Sequence, residues 1–186
     1  MSPLKGLFIF YGYFDIIFVG EIMNLEEKLV DILIERKYHI TFAESATGGM
    51  CAARLINVAN ASKVLNESLV TYADEAKIKY LNVKKETIDK YNVVSEEVAY
   101  EMASGAALNT NSNIAASVTG VAGPTGGTDL IPVGMVCFGF CINGKVYTKT
   151  QKFGNLGRNI VRQKACDFVF ETLLELLMQD GVKIEK

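Results

Sequence analysis

The feature that most constrains the fold of this chain is a strand, a turn of small residues and a helix, in that order, within residues 38–57. Ile40, Thr41 and Phe42 are apolar or β-branched and suit a half-buried strand, so the sequence predicts a strand over Tyr38–Ala43. The turn Glu44–Gly49 follows, and the Ala-rich run that begins near Met50 predicts a helix. The first amides of such a helix lack internal partners and point toward the turn, at the positive end of the helix dipole.

The turn carries candidate ligand-binding groups. Ser45 and Thr47 present hydroxyls where a developing negative charge or a phosphate is stabilised. Gly48 and Gly49 have no side chain, which lets a ligand approach the backbone closely. The alternative is that Ser45 or Thr47 only caps the helix. This stretch alone leaves both interpretations open.

Length and composition are those of one globular domain. A chain of 186 residues is long enough for one α/β domain with a real core. Hydrophobic residues make up 49% and charged residues 22% of it, which are ordinary fractions for a globular protein. The net charge of -2 comes without a basic stripe, so nothing indicates nucleic-acid binding and we expect no such partner.

The cysteines and the histidine limit which metal sites, disulfides and catalytic mechanisms the chain can have. Cys51, Cys137, Cys141 and Cys166 are scattered, with no C-x-x-C and no tight cluster. This argues against a zinc site and a disulfide framework and fits a reducing cytoplasm. We therefore expect buried hydrophobic cysteines, no metal and a cytoplasmic location. His39 is the only histidine, which rules out any mechanism that needs two imidazoles.

Residues 1–22 differ in composition from the rest of the chain. The run Leu7–Val19 is apolar, but it contains an aspartate and is too short to span a membrane, and no signal-peptide cleavage site follows it. Asn24 with Glu27 three residues later is a capping-box signal for the first helix. We therefore expect residues 1–22 to be an extension that the chemistry does not need, residues 23–186 to form the domain, and no membrane contact.

Strands alternate with helices downstream, until two strands follow each other. The predicted strands are Asn66–Tyr72, Ile114–Val118, Pro132–Ile142 and Lys145–Phe153, and the predicted helices are Asp74–Leu81, Ser95–Leu108 and a last one from Gly157. Asn143-Gly144 between the last two strands is a strong signal for a type I′ hairpin. Two antiparallel strands thus extend a sheet whose earlier strands alternate with helices. The sequence predicts a single three-layer α/β/α domain with a central mixed sheet flanked by helices.

Lys77 lies in the first turns of a predicted helix, directly after a strand end. A lysine that is partly desolvated near helix N-terminal amides has its charged form disfavoured, which lowers its pKa and lets it act as a base. The alternative is a solvated lysine on the surface of an amphipathic helix. For Tyr72, at the strand end, the corresponding alternative is a core aromatic residue with its hydroxyl at the rim.

The glycine-rich segment T-G-V-A-G-P-T-G-G, residues 119–127, is a further candidate for ligand binding. It follows a strand end, as ligand loops do in open α/β sheets. It matches neither the Walker A pattern nor G-x-G-x-x-G, but it favours an anion or nucleotide loop; a flexible turn is the alternative. Arg158, near the start of the last helix, is either a phosphate clamp or a surface residue.

Taken together, these segments resemble the CinA C-terminal domain family, whose stand-alone members are nicotinamide mononucleotide deamidases. The resemblance covers Met23 to about Leu177 and rests on five motifs at matching spacing. These motifs are A-E-S-A-T-G-G at 43–49, V-T-Y-A-D-E-A-K at 70–77, V-S-E-E-V-A at 94–99, T-G-V-A-G-P-T-G-G at 119–127, and P-V-G at 132–134.

The resemblance implies an amidohydrolase that converts nicotinamide mononucleotide and water to nicotinate mononucleotide and ammonia, without a metal or cofactor. Ser45 matches the nucleophile and Lys77 the general base. Tyr72 and Thr119 match positions that assist catalysis or bind substrate, and Arg158 matches an arginine at the phosphate end. The resemblance also implies a homo-oligomer.

The backbone amides near Thr47, Gly48 and Gly49 are the candidates for the oxyanion hole, because they lie at a helix start. Gly120 and Gly123 of the second glycine loop are candidate substrate-binding residues. Which of the two loops binds the oxyanion and which the phosphate stays open.

Two residues depart from the pattern of the family. Ala46 stands where a cysteine is usual, and Ala73 stands where a polar residue is usual. Neither matches the nucleophile or the base, so we expect tuning of the activity and not its loss. Two other functions stay open: a nucleotide-binding or partner-docking domain without turnover, and an amidase that acts on a different small amide.

Overall fold

The computed structural model describes residues 24–180, which form six α-helices and five strands. The helices are α1 (Leu25–Arg36), α2 (Met50–Leu55), α3 (Asp74–Leu81), α4 (Lys85–Tyr91), α5 (Glu96–Asn109) and α6 (Arg158–Asp180). The strands are β1 (Ile40–Glu44), β2 (Leu69–Val70), β3 (Ile114–Gly120), β4 (Met135–Ile142) and β5 (Lys145–Lys152). In this part of the chain no helix is both long and apolar enough to cross a membrane. The predicted extension, residues 1–22, lies outside the described residues.

The strands form one mixed sheet in the order β2-β1-β3-β4-β5. Strand β1 is parallel to both β2 and β3, whereas β4 is antiparallel to β3 and to β5. Asn143 and Gly144 join β4 to β5 with φ of 49° and 84°, the two positive values that a type I′ turn requires. The mixed sheet and the hairpin predicted from the sequence are therefore confirmed.

Helices cover both faces of the sheet. On one face, α1, α2 and α6 bury a cluster that includes Leu33, Leu55 and Phe170 against Phe42 and Phe138 of the strands. On the other face, α3 and α5 pack on smaller strand residues such as Ala43, Ala115 and Cys141. The α/β/α layering is thus the one that the sequence predicts.

Strand β2 is much shorter than the predicted strand Asn66–Tyr72. Within the predicted strand only Leu69 and Val70 pair with β1, opposite Ala43 and Glu44, while Leu65 before it forms an isolated bridge with Ile40. The preceding residues follow β1 through side-chain bonds instead: Ser68 Oγ donates to Phe42 O at 3.0 Å and Thr41 Oγ1 donates to Glu67 O at 3.0 Å. Side-chain hydroxyls thus replace a regular ladder at this sheet edge.

Boundaries of β1, β3, β4 and β5 were also predicted wrongly, by one to three residues. Strand β4 begins at Met135 and not at Pro132, because Gly134 has φ of 87° and the Met135 amide donates to Pro132 O at 3.0 Å, closing a turn. Strand β1 continues through Glu44, which the sequence analysis placed in the turn. This second shift matters for the site, because it buries the carboxylate of Glu44.

Candidate active site

Three strand ends define the candidate site. Strands β1, β2 and β3 are parallel, so Ser45 after β1, Tyr72 after β2 and Thr119 near the end of β3 lie at the same edge of the sheet. The carboxyl edge of parallel strands is where ligands bind in open α/β sheets. The topology therefore brings together segments that are far apart in the sequence.

A cavity of about 350 Å³ lies at this edge. Seven of the ten predicted site residues line it: Ser45, Tyr72, Lys77, Thr119, Gly120, Gly123 and Arg158. Two larger surface grooves, of about 570 and 710 Å³, lie beside α5 and contain none of the ten. Among the described residues, no group of three or more His, Cys, Asp and Glu side chains is placed to hold a metal ion.

Ser45 is held directly after the central strand β1. Its amide donates to Val118 O of β3 at 3.0 Å, and the residue is 9% exposed. Within residues 24–180 its hydroxyl forms no hydrogen bond, so it is free to bond to a ligand in the cavity.

Lys77 is a buried lysine, and the surface alternative considered from the sequence is wrong. Its side chain is 1% exposed, and Nζ lies 3.1 Å from Tyr72 O and 3.6 Å from Asp74 Oδ1. Burial lowers the pKa of Lys77, and the carboxylate of Asp74 opposes that shift only in part. The ammonium makes no hydrogen bond to Ser45, although both residues line the same cavity.

Thr119 and Gly120 line the cavity at the end of β3. The Thr119 hydroxyl donates to Val93 O at 2.8 Å, which holds the segment before α5 against the site. A Cβ at Gly120 would lie 2.8 Å from Met135 O and from Val136 Cα, so β4 leaves no room for a side chain there. The hydroxyl of Thr119 therefore organises the wall of the cavity.

Arg158 bridges two sides of the cavity. From the first position of α6, Nη1 donates to Gly123 O at 3.1 Å and Nη2 donates to the Tyr72 hydroxyl at 3.0 Å. Tyr72 is 63% exposed, so the alternative that it is a core aromatic residue is wrong. The guanidinium is thus a positive charge at the mouth of the site.

Thr47, Gly48 and Gly49 do not line the cavity. The amide of Gly49 is already bound, because it donates to Glu44 Oε2 at 2.9 Å. Gly49 is the N-cap residue of α2, and neither the Ser45 nor the Thr47 hydroxyl accepts a hydrogen bond from the first amides of that helix. The capping alternative considered from the sequence is therefore wrong, and the amide of Gly49 is not available for an oxyanion while this bond lasts.

Glu44 was not identified from the sequence as a functional residue. It is fully buried, and besides Gly49 it accepts hydrogen bonds from the Cys51 amide at 3.1 Å and the Ala52 amide at 3.0 Å. A carboxylate at the positive end of a helix dipole is a stabilising arrangement. The signal that could have identified it is an acidic residue six positions before the predicted helix start at Met50.

Arg162 was also missed. It lies one helical turn after Arg158, and its guanidinium donates to Ala46 O at 3.1 Å and to Thr47 O at 2.8 Å. No sequence pattern links this residue to the turn, because the two segments are 115 or more positions apart. Helix α6 thus contacts the mouth of the cavity with one arginine and the Ser45 turn with the next.

Comparison with known proteins relates the chain to one family. The model of the CinA C-terminal domain matches residues 22–177. A CinA-like protein of Kosmotoga olearia is 47% identical over 163 residues, which are 86% of this chain and 39% of that protein. A putative competence-damage inducible protein of Clostridium acetobutylicum is 50% identical over 149 residues, which are 80% of this chain and 36% of that protein. The chain therefore spans well under half the length of these relatives.

Solved structures agree in sequence and in fold. A CinA superfamily protein from Escherichia coli is 37% identical with a TM-score of 0.79, covering 82% of this chain and 88% of that one. The competence damage-inducible protein A from Klebsiella pneumoniae is 36% identical with a TM-score of 0.80, covering 83% of this chain and 95% of that one. From the family match, the identities and the shared fold, the chain belongs to the CinA C-terminal domain family.

Proposed function

We propose that this protein hydrolyses the amide of nicotinamide mononucleotide, giving nicotinate mononucleotide and ammonia, by a metal-independent Ser/Lys mechanism that recycles pyridine nucleotides. The observation that carries the proposal is Lys77, whose buried ammonium has a lowered pKa in the same cavity as Ser45. A serine hydroxyl is a weak nucleophile and needs a nearby base, and with a single histidine in the chain this lysine is the credible one.

In the proposed reaction, neutral Lys77 takes the proton of the Ser45 hydroxyl as Oγ bonds to the amide carbon. The protonated lysine then gives that proton to the leaving nitrogen, the C–N bond breaks and ammonia departs. A water molecule attacks the resulting ester, its proton passes through Lys77 to Ser45 Oγ, and the carboxylate product is released.

The phosphate of the substrate is assigned to the opposite side of the cavity. Arg158 supplies a positive charge there, and Gly120 and Gly123 supply a backbone without side chains. The bond from the Gly49 amide to Glu44 supports this orientation, because it weakens the case for a phosphate on the first glycine loop. The oxyanion is then assigned to the backbone of the Ser45 turn, of which Ser45 and Ala46 line the cavity and Thr47, Gly48 and Gly49 do not.

The deciding experiment incubates the full-length, EDTA-treated protein with nicotinamide mononucleotide and measures both products. We expect equal amounts of ammonia and nicotinate mononucleotide, and nearly no turnover in folded Ser45→Ala and Lys77→Ala variants. Because the two residues act as a unit, the double variant should be little slower than either single one. Additive losses would contradict the dyad.

Two observations favour a second function, a nucleotide-binding domain without turnover. Ser45 and Lys77 are not hydrogen bonded to each other, and Ala46, which departs from the family pattern, lines the cavity. Tight binding of the mononucleotide by a folded protein that releases no ammonia would establish this function instead. Parallel incubations with free nicotinamide and with the dinucleotide would detect an amidase for another amide.

The proposal includes the assembly of the protein and its location in the cell. We expect a homo-oligomer in the cytoplasm that binds a small-molecule substrate and has no nucleic-acid or membrane partner.

A further inference from the structure

The turn that carries Ser45 is held by two charged side chains that the proposed chemistry does not use. Glu44 lies inside the fold, fully buried, and binds the amides of Gly49, Cys51 and Ala52 at 2.9–3.1 Å. Arg162 binds the turn from α6, through two carbonyl oxygens. A negative group thus holds the amide side of this segment and a positive group holds its carbonyl side, and we call these two side chains, Glu44 and Arg162, the clamp.

The position of Glu44 leaves little freedom to the residue that follows it. Glu44 pairs with Val118 of β3 and with Val70 of β2, and its carbonyl accepts from the Thr71 amide at 2.9 Å. Its backbone is therefore fixed in the sheet while its carboxylate is fixed to α2. Ser45 is the first residue beyond this double anchor, and its own amide is bound to Val118 O.

We propose that Glu44 is a positioning residue for Ser45, holding the turn between β1 and α2 in the conformation that presents the serine to the cavity, with Arg162 as its counterpart. The buried carboxylate takes the place of a ligand anion at the start of α2, so its charge serves the protein and not the substrate. This inference rests on the proposed role of Ser45 as the nucleophile.

Positioning predicts a particular kinetic signature. A small displacement of a nucleophile slows the chemical step by much more than it weakens substrate binding. Glu44→Gln keeps the shape of the side chain but removes its charge and turns N–H groups toward the helix amides. We expect kcat to fall on the order of 10- to 100-fold, with KM and the affinity for nicotinate mononucleotide changed less than about threefold.

A matched control is available on another helix. Glu101 accepts from the Lys84 amide and the Thr87 hydroxyl, both at 2.8 Å, so it too is a carboxylate bound at a helix start, but it does not line the candidate cavity. Glu101→Gln should leave kcat within about twofold of the wild type. Arg162→Gln removes the other half of the clamp, from a less buried position. It should lower kcat in the same way as Glu44→Gln. It also decides the question if Glu44→Gln does not fold.

A measurement that needs no turnover completes the test. Amide hydrogen exchange of Gly49, Cys51 and Ala52 should accelerate about tenfold or more in Glu44→Gln, with exchange in β3 unchanged. Unchanged kcat in a folded Glu44→Gln variant, or parallel losses of kcat and product affinity, would overturn the inference. If the wild type releases no ammonia, the proposed function fails, and exchange alone decides: faster exchange of these three amides supports the clamp, and unchanged exchange overturns it.

Discussion

At the scale of single residues, Lys77 combines a charge with surroundings that disfavour it. Burial lowers its pKa below the ordinary value of 10.5, against the pull of Asp74. Between the lowered pKa and 10.5 the unfolded chain binds a proton that the folded chain does not, so folding stability rises with pH across that window. Below the lowered pKa the full cost of the buried charge is present.

Replacing Lys77 with methionine should therefore stabilise the protein while it abolishes turnover. We expect the free energy of unfolding at pH 7 to rise by about 1 kcal/mol and Tm by about 2–4 °C, because a buried charge is exchanged for an apolar chain of similar length. The gain should shrink as pH approaches 10.5. Urea denaturation at pH 7 and pH 10 measures both effects. The exposed neighbour Lys79→Met should change neither, and a less stable Lys77→Met would mean that the Asp74 pair outweighs the burial.

Arg158 gives a prediction about substrate binding. If its guanidinium binds the substrate phosphate, Arg158→Gln should raise KM for nicotinamide mononucleotide by about 10- to 100-fold, the value of one charge-assisted hydrogen bond. The same variant should act normally on nicotinamide riboside, which has no phosphate. Arg36→Gln removes an arginine that donates to Leu177 O, away from the cavity, and is the matched control. Equal losses on both substrates would assign Arg158 to the architecture of the cavity mouth.

At the scale of elements, the position of Lys77 depends on how closely α3 approaches α5. Gly105 of α5 faces the end of α3, where an added Cβ would lie 1.7 Å from Leu81 O. No side chain fits in that contact, so only glycine lets the two helices meet at this distance. Helix α3 carries the proposed base, and this contact sets how far it lies from β1 and Ser45.

Gly105→Ala should therefore lower both stability and activity. We expect a loss of about 1–3 kcal/mol, because the extra methyl group forces α3 outward and the higher helix propensity of alanine offsets only part of that cost. The outward shift should also lower kcat. Guanidinium denaturation and the deamidation assay measure the two effects. Ser104→Ala, one position earlier in the same helix, should keep both values, and an unaffected Gly105→Ala would show that α3 is not held by this contact.

Elements with a local signal were predictable from the sequence. The Asn143-Gly144 turn, the Ser95 cap that accepts from the Val98 amide, and the bond between Asn24 N and Glu27 all depend on residues within a few positions of each other. The proximity of Ser45, Tyr72 and Thr119 was predictable too, because parallel strands bring their carboxyl ends to the same edge of a sheet. Arg162 and the shortness of β2 did not, because both depend on contacts between distant segments that leave no local pattern.

Glu44, next to Ser45, is a residue whose role the sequence analysis did not predict. Its place between an apolar strand and a run of small residues suggested a turn, where an acidic residue is solvated. In the fold it is the last residue of β1, and three amides of the next segment replace the water it loses. Sequence reasoning assigned one of these amides, that of Gly49, to an oxyanion, because it could not tell that the chain supplies its own anion.

At the scale of the whole molecule, α1 closes one side of the sheet. It buries Leu29, Val30 and Leu33 to 1% exposure or less, and Arg36 at its end donates to Leu177 O of α6 at 2.9 Å. The family match begins at residue 22, just before this helix. The elements that build the sheet, both helical layers and the cavity therefore all lie downstream of the predicted extension.

Removing residues 1–22 should accordingly leave a protein that starts at Met23 with the same fold and turnover. We expect its free energy of unfolding to lie within about 0.5 kcal/mol of the full chain, and kcat and the mass from light scattering to be unchanged, because no described core residue is lost. Removal of residues 1–37, which also deletes α1, is the contrasting variant and should aggregate, since it uncovers the apolar surface beneath that helix. If the shorter deletion is itself insoluble or changes in mass, residues 1–22 belong to the core or to an interface between subunits.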